Sequence, residues 1–218
     1  MKEISDGIFL IEDRLATQNR IKDYDPFNDG LVEMTGKQYR FWNPTRSKLA
    51  AAIMNEIKFV PIKNQDKLLY LGVAHGMTAS HISDIIGNQG IIYGVEFSDR
   101  PFQELLPLCE KYRNISPILA DARKPETFYW VEKVDVVYVD IAQPDATEIT
   151  IRNCREFLKK NGFLLFAIKA RSVDVTKSPN EIYKEEIEKL KKANFEIIDW
   201  KKLEPFEDAH AFIVAQIK

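Results

Sequence analysis

The spacing of apolar positions changes near residue 45. Before it, GIFLI (7–11), RLATQ (14–18), LVEMT (31–35) and KQYRFW (37–42) are short segments, several alternating apolar with polar. Turn-rich pieces such as DYDPFNDG separate them. This reads as a small β-rich unit over residues 1–44. A sheet of that size rarely stands alone, so it is expected to pack on the remainder of the chain. From residue 45 to 218, strand and helix signals alternate. TRSKLAAAIMNEI (45–57) has a helical period, with Asn43 or Thr45 near its start. LLYLGV (68–73), IIYGVEF (91–97), ISPILAD (115–121), VDVVYVD (134–140) and GFLLFAIK (162–169) read as strands. Between them, TASHISDIIG (78–87), PFQELLPLCEKYR (101–113) and ATEITIRNCREFLKK (146–160) read as helices, the last closed by Asn161-Gly162.

Beyond Lys169 comes a longer loop, then a helix over 178–193. Ser178 is placed to cap it, Pro179 stands at its first position and Glu181 at the capping-box position. FEIIDWKKLE (195–204) and AHAFIVAQIK (209–218) are joined by the short PFED, which predicts an antiparallel pair. Alternating strands and helices imply a mostly parallel sheet covered on both faces. The expected fold class is α/β: a Rossmann-like sheet of the S-adenosylmethionine-dependent methyltransferase type, with an antiparallel last strand and the small β-rich unit in front.

Composition narrows the reading. No run approaches the roughly 18 uninterrupted apolar residues of a membrane span, and the first residues, MKEISDGIFLIEDR, lack the basic start and cleavage site of a signal peptide. The two cysteines, Cys109 and Cys154, lie in helical patterns, which argues against a disulfide framework. No His or Cys pair has metal-ligand spacing, so no metal is expected. A cytoplasmic protein is the expectation. The formal charge of −2 is unlike the basic excess of a protein that grips nucleic acid alone. Either there is no nucleic-acid partner, or other components supply much of the phosphate affinity.

The first strand-to-helix loop carries the candidate chemistry. Gly72-x-x-x-Gly76-x-Thr78 lacks the middle glycine of a dinucleotide fingerprint and the Gly-Lys of a P-loop. Glu96 ends the second strand, where an acid accepts from ribose hydroxyls, and Asp121-Ala122 ends the third, where an acid can meet an adenine amino group. An adenosine ligand without phosphate fits these features. S-adenosylmethionine is such a ligand, and its sulfonium suits carboxylates better than lysines. Topology brings Lys48, Asp140, Lys169 and His210 to the same carboxyl edge of the sheet. An oxygen nucleophile must be held in line with the methyl group while its proton leaves. Lysine or histidine could take that proton, with Asp140 orienting. His75 and His81 read as loop and helix-surface residues.

YLGVAHGMTASHISDIIG, YGVEFSDR, ADARKPE, VDVVYVDIAQPDAT, FAIKARSVDVT and LEPFEDAHAFIV together resemble the fibrillarin family over nearly the whole chain. VDIAQPD and the spacing from YLG to VEFS are specific rather than general to methyltransferases. The resemblance implies RNA-guided ribose 2'-O-methylation of rRNA, and of tRNA, within a box C/D ribonucleoprotein. It implies an archaeal form, since no Gly/Arg-rich extension opens the sequence. It implies partners: guide RNA, substrate RNA, a Nop-family scaffold and a kink-turn-binding ribosomal-type protein. It maps the catalytic set onto Lys48, Asp140, Lys169 and His210. It maps the cofactor site onto Gly72, Ala74, Thr78, Glu96, Phe97, Asp121, Ala122, Asp140 and Gln143. His75 departs from the small hydroxyl residue usual there, and Met77 from a frequent threonine. Arg46, Arg100, Arg123, Lys124, Arg171 and Lys177 flank strand ends and could form a basic rim. The alternatives are a stand-alone RNA or small-molecule O-methyltransferase, a non-catalytic assembly subunit and, least of all, an NAD-binding oxidoreductase.

Overall fold

The structure is a computed structural model that describes all 218 residues. Five antiparallel strands open the chain: β1 (Lys2–Ser5), β2 (Ile8–Ile11), β3 (Arg14–Gln18), β4 (Leu31–Met34) and β5 (Lys37–Phe41), in the order β1-β2-β3-β5-β4. Four of these coincide with the alternating segments. The fifth, β1, is an edge strand with largely exposed side chains, so it carries no alternation to read.

The larger sheet has seven strands: β6 (Lys67–Leu71), β7 (Ile91–Glu96), β8 (Ile115–Leu119), β9 (Val134–Val139), β10 (Leu158–Lys169), β11 (Phe195–Lys202) and β12 (His210–Ile217). Their order is β11-β12-β10-β9-β6-β7-β8. β6 to β10 pair in parallel, and β12 runs antiparallel to both neighbours. The Rossmann-like layout therefore stands as expected. Both faces are buried. On β6, Leu68 and Tyr70 join one core, with α1 (Lys48–Met54), α2 (Met77–Ile86) and α3 (Asp99–Lys111). Leu69 and Leu71 join the other, with α4 (Ala146–Phe157) and α6 (Pro179–Lys192). Such two-sided burial is why these strands read as continuous apolar runs. A one-turn helix, α5 (Ala170–Val173), opens the connection expected to be a loop.

At three of the boundaries that differ from expectation the reason is local. α1 starts at Lys48 with Ser47 as its cap, because Asn43 spends its side chain on its own turn, accepting from the Thr45 amide at 3.0 Å and the Thr45 hydroxyl at 2.9 Å. The first large-sheet strand stops at Leu71, where Gly72 turns left-handed at φ +79°. α4 stops at Phe157 rather than at Asn161-Gly162. That turn signal is used inside β10, where Asn161 (φ +61°) forms a bulge and the register against β9 jumps between Leu158 and Phe163. At α6 the capping box forms as expected from Ser178 and Glu181.

The N-terminal sheet packs on α2, and this corrects one reading. His81 is not a surface residue but fully buried, stacked on Trp42 at 4.7 Å between ring centroids. Every residue of α2 is buried, since the large sheet covers one side and the small sheet the other. The polar side of α2 meets polar groups from β3 and β5. Arg40 pairs with Asp84 at 2.8 Å and donates to Ser80 at 3.0 Å. Thr17 donates to Asp84 at 3.2 Å, so it accepts from the His81 Nδ1–H at 2.8 Å. Burial, reinforced by the Arg40 charge, holds the His81 imidazole well below its usual range, so it is neutral in the folded chain.

Candidate active site

Lys48, Asp140, Lys169 and His210 meet at the carboxyl edge of the large sheet. Asp140 follows the last residue of β9 and its amide donates to the Leu71 carbonyl at 2.9 Å, which ties it to the end of β6. Lys169 ends β10 and stands directly opposite His210 in the antiparallel ladder. Lys48 is the first residue of α1. The Lys169 ammonium lies 2.8 Å from Asp140 Oδ1 and donates an aligned hydrogen bond to the Asp140 carbonyl at 2.9 Å. The Lys48 ammonium lies 3.4 Å from Asp140 Oδ2. Asp140 thus sits between two cations and holds both.

A fifth group completes the cluster. Glu207 lies 3.9 Å from the Lys48 ammonium and 3.9 Å from His210 Nδ1. His210 Nδ1 is also 2.7 Å from the Asp208 carbonyl. A carbonyl only accepts, so Nδ1 carries a proton, and in the neutral ring Nε2 then holds the lone pair. Sequence reasoning missed Glu207. Its signal was its position three residues before His210 within LEPFEDAH, on the short connection between β11 and β12.

Beside the cluster lies a cavity of about 360 Å³. Gly72, Ala74, Glu96, Phe97, Ala122, Asp140 and Gln143 line it, with Lys169 at one wall. A side chain at Gly72 would bring its Cβ to 2.8 Å from the Asp140 carbonyl, so the close approach of these two strand ends requires glycine. Gly76 (φ +87°) precedes α2, and a Cβ there would strike Leu105 of α3 at 2.7 Å. Glu96 is nearly buried and pins the loops around the cavity. One oxygen accepts from the Ala74 amide at 2.9 Å and the other from the Ser98 amide at 2.8 Å. A carboxylate has about four lone-pair directions, so each oxygen retains one for a hydroxyl. Phe97 leaves 63 % of its surface exposed at the mouth, a flat apolar face for a ring.

The family model for fibrillarin matches residues 1–218. The chain belongs to the fibrillarin family. A curated relative from Saccharolobus solfataricus, described as a fibrillarin-like rRNA/tRNA 2'-O-methyltransferase, is 50% identical over 217 residues, covering 99% of this chain and 92% of the relative. Fibrillarin from Aeropyrum pernix, solved with natively bound S-adenosyl-L-methionine, superposes with a TM-score of 0.87 at 47% identity, over 95% of this chain and 92% of that one. A solved fibrillarin/Nop5p complex matches with a TM-score of 0.91 at 38% identity over the full length of both chains.

Two residues mapped to the cofactor site of this fibrillarin-family chain have side chains bonded to other protein groups. Asp121 stands between Ala120 and Ala122, which both line the cavity, and its carboxylate faces Arg123, which donates from Nη2 at 2.8 Å and from its amide at 2.9 Å. Those bonds hold the Asp121 carboxyl below its usual range. Thr78 is buried in α2, its hydroxyl 2.9 Å from that of Ser47. Since Ser47 caps α1 immediately before Lys48, Thr78 links the glycine loop to the lysine. The basic rim is also thinner than expected. Arg46 is paired with Asp29, Arg100 with Glu104, Arg123 with Asp121 and Lys177 with Glu185, which leaves Lys124 and Arg171 as its unpaired cations. His75 is exposed, its ring centroid 5.5 Å from that of Phe27 in an edge-to-face pair.

Proposed function

We propose that this chain transfers a methyl group from S-adenosylmethionine to a ribose 2'-hydroxyl of RNA. The observation that carries the reading is the meeting of Lys48, Asp140, Lys169 and His210 at one edge of the sheet, with Asp140 and Lys169 in the wall of one cavity. The residues present fit the cofactor. The cavity carries carboxylates at Glu96 and Asp140 and has Lys169 as its one cation, with no Gly-Lys to cradle a phosphate. Glu96 would accept from the cofactor ribose, Phe97 and Ala122 would flank the adenine, and Gly72, Ala74 and Gln143 would shape the remaining wall. Thr78 and Asp121 would support the loops around it. Bound S-adenosylmethionine supplies an electrophilic methyl group on a cationic sulfur.

The residues of the rim would then act on the substrate hydroxyl. Lys169, fixed by Asp140, donates to the 2'-oxygen and aims it at the methyl group. His210 Nε2 accepts the hydroxyl proton as the oxygen–carbon bond forms and the carbon–sulfur pair returns to sulfur. Lys48 and Glu207 hold Asp140 and His210 in place. Residues 1–44 would form a small domain that presses α2 into position.

The family's relatives support a finer reading: a catalytic subunit of a box C/D ribonucleoprotein acting on rRNA and tRNA. A Nop-family scaffold, a kink-turn-binding ribosomal-type protein and a guide RNA would deliver the target nucleotide. The test is methyl transfer from labelled S-adenosylmethionine to a guide-specified nucleotide in the reconstituted particle. Asp140→Ala should lower transfer by at least about 100-fold with the fold intact. No transfer by the complete, folded particle would refute the reading.

A further inference from the structure

The amino ends of the strands carry a second basic surface, opposite the candidate active site. A groove of about 720 Å³ opens there, where the loop after β3 meets the α2–β7 and α3–β8 turns. Its wall holds four cations, Arg20, Lys67, Lys111 and Arg113, and one carboxylate, Glu132. Glu132 is already engaged by Lys67 and by the Tyr93 hydroxyl, so it leaves little free negative charge. Arg20 donates to the Asp84 carbonyl at 2.5 Å, a neutral acceptor that leaves its charge uncancelled. Lys111 and Arg113 are exposed and have no carboxylate partner. In a chain of net charge −2 this is a local concentration of positive charge.

Aromatic surface adjoins the groove. Trp130 packs its ring edge-on to Tyr93 at 6.1 Å, and Tyr93 reaches Glu132 in the groove wall at 2.9 Å. Trp130 and its neighbour Tyr129 remain 55 % and 76 % exposed. A cationic groove tracks a phosphate backbone, and exposed rings beside it stack unpaired bases. A strand of phosphates and unpaired bases engages the charge and the two rings together.

We propose that this groove binds a single-stranded tract of RNA distant from the nucleotide being modified. Five residues of β6 separate the two ends of the sheet, roughly 17 Å at a rise of about 3.3 Å per residue. One RNA strand could therefore touch both ends of the molecule. The inference rests on RNA being the substrate class, and binding is measured apart from methyl transfer so that the two can fail separately.

The probe is a fluorescein-labelled oligouridylate of about 12 nucleotides, titrated with the full chain by anisotropy from about 50 mM salt upward. Wild type should bind with a salt-dependent affinity. Lys111→Glu/Arg113→Glu should bind at least about tenfold more weakly and flatten the logarithmic salt slope by roughly 1.4, the share of two phosphates on a single strand. Trp130→Ala should weaken binding about fivefold with the slope unchanged. S-adenosylmethionine calorimetry and thermal unfolding confirm that each variant is folded. Absence of binding by wild type at low salt would overturn the proposal. So would unchanged binding by the double variant, with Arg171→Glu at the catalytic rim weakening it instead. Loss of a Nop-family partner in the double variant, with RNA affinity unaltered, would assign the groove to protein and also overturn it.

Discussion

At the scale of single residues, the histidines divide the chemistry. His210 is partly open and presents Nε2, while His81 is sealed and neutral. Replacing His210 by alanine should lower kcat by about 10²- to 10⁴-fold, the span of a lost general base, with S-adenosylmethionine affinity retained by calorimetry. Glu207→Gln should lower kcat on the order of tenfold at unchanged RNA KM, because about 1.4 kcal/mol of lost alignment is a factor of ten. His81 affects stability instead. Its folded pKa is depressed, so the unfolded chain takes up the proton first. The contribution is fully present above about pH 6.5 and is lost as pH falls, at about 1.4 kcal/mol per unit. Denaturant unfolding at pH 7 and pH 5 should show this loss, and His81→Gln should reduce it.

Which residues could be read in advance depends on how local their environment is. Gly72, Glu96, Asp140 and Lys169 sit at strand ends, and strand ends are visible as the last position of an apolar run. Asp121 was read in the same way, and the partner that its carboxylate finds, Arg123, lies only two residues on. His81 looked polar and exposed because its cover comes from residues about 40 and 64 positions earlier in the chain, Trp42 and Thr17.

At the scale of elements, the seam between α2 and the small sheet depends on one buried ion pair. Arg40 and Asp84 are fully enclosed, and losing one strands the other. Arg40→Met or Asp84→Ala alone should cost about 3–5 kcal/mol of unfolding free energy. Arg40→Met with Asp84→Leu should recover much of it, since neither charge is then left unpaired. Chemical denaturation of the three variants gives the comparison. The capping box at Ser178 was legible because all its parts lie within four residues. The start of α1 was not, because Asn43, Thr45 and Ser47 all offer a capping side chain and only the fold selects Ser47.

For the whole molecule, the two sheets share one core. Ile8, Leu15 and Trp42 from the small sheet's side pack in the same cluster as Ile82, Leu108 and Phe212. The α/β class was therefore visible in the alternation of segments, whereas the seam required knowing which polar side of α2 would be covered. Units joined by such a core should melt together. Calorimetry is expected to give one transition with equal calorimetric and van't Hoff enthalpies, and two resolved peaks would contradict a shared core.

The bulge at Asn161 determines where the gene can change length. β10 reaches its strict pairing only at Phe163, and from there to Lys169 each residue has a fixed opposite in β12. An insertion or deletion between Lys159 and Gly162 falls in slack already present and leaves Lys169 facing His210. One inserted codon after Phe163 would turn Lys169 to the far face of the sheet. Natural length variation in this stretch should therefore collect before Phe163, and a library of single-codon insertions would show the boundary as a step from tolerated to inactive.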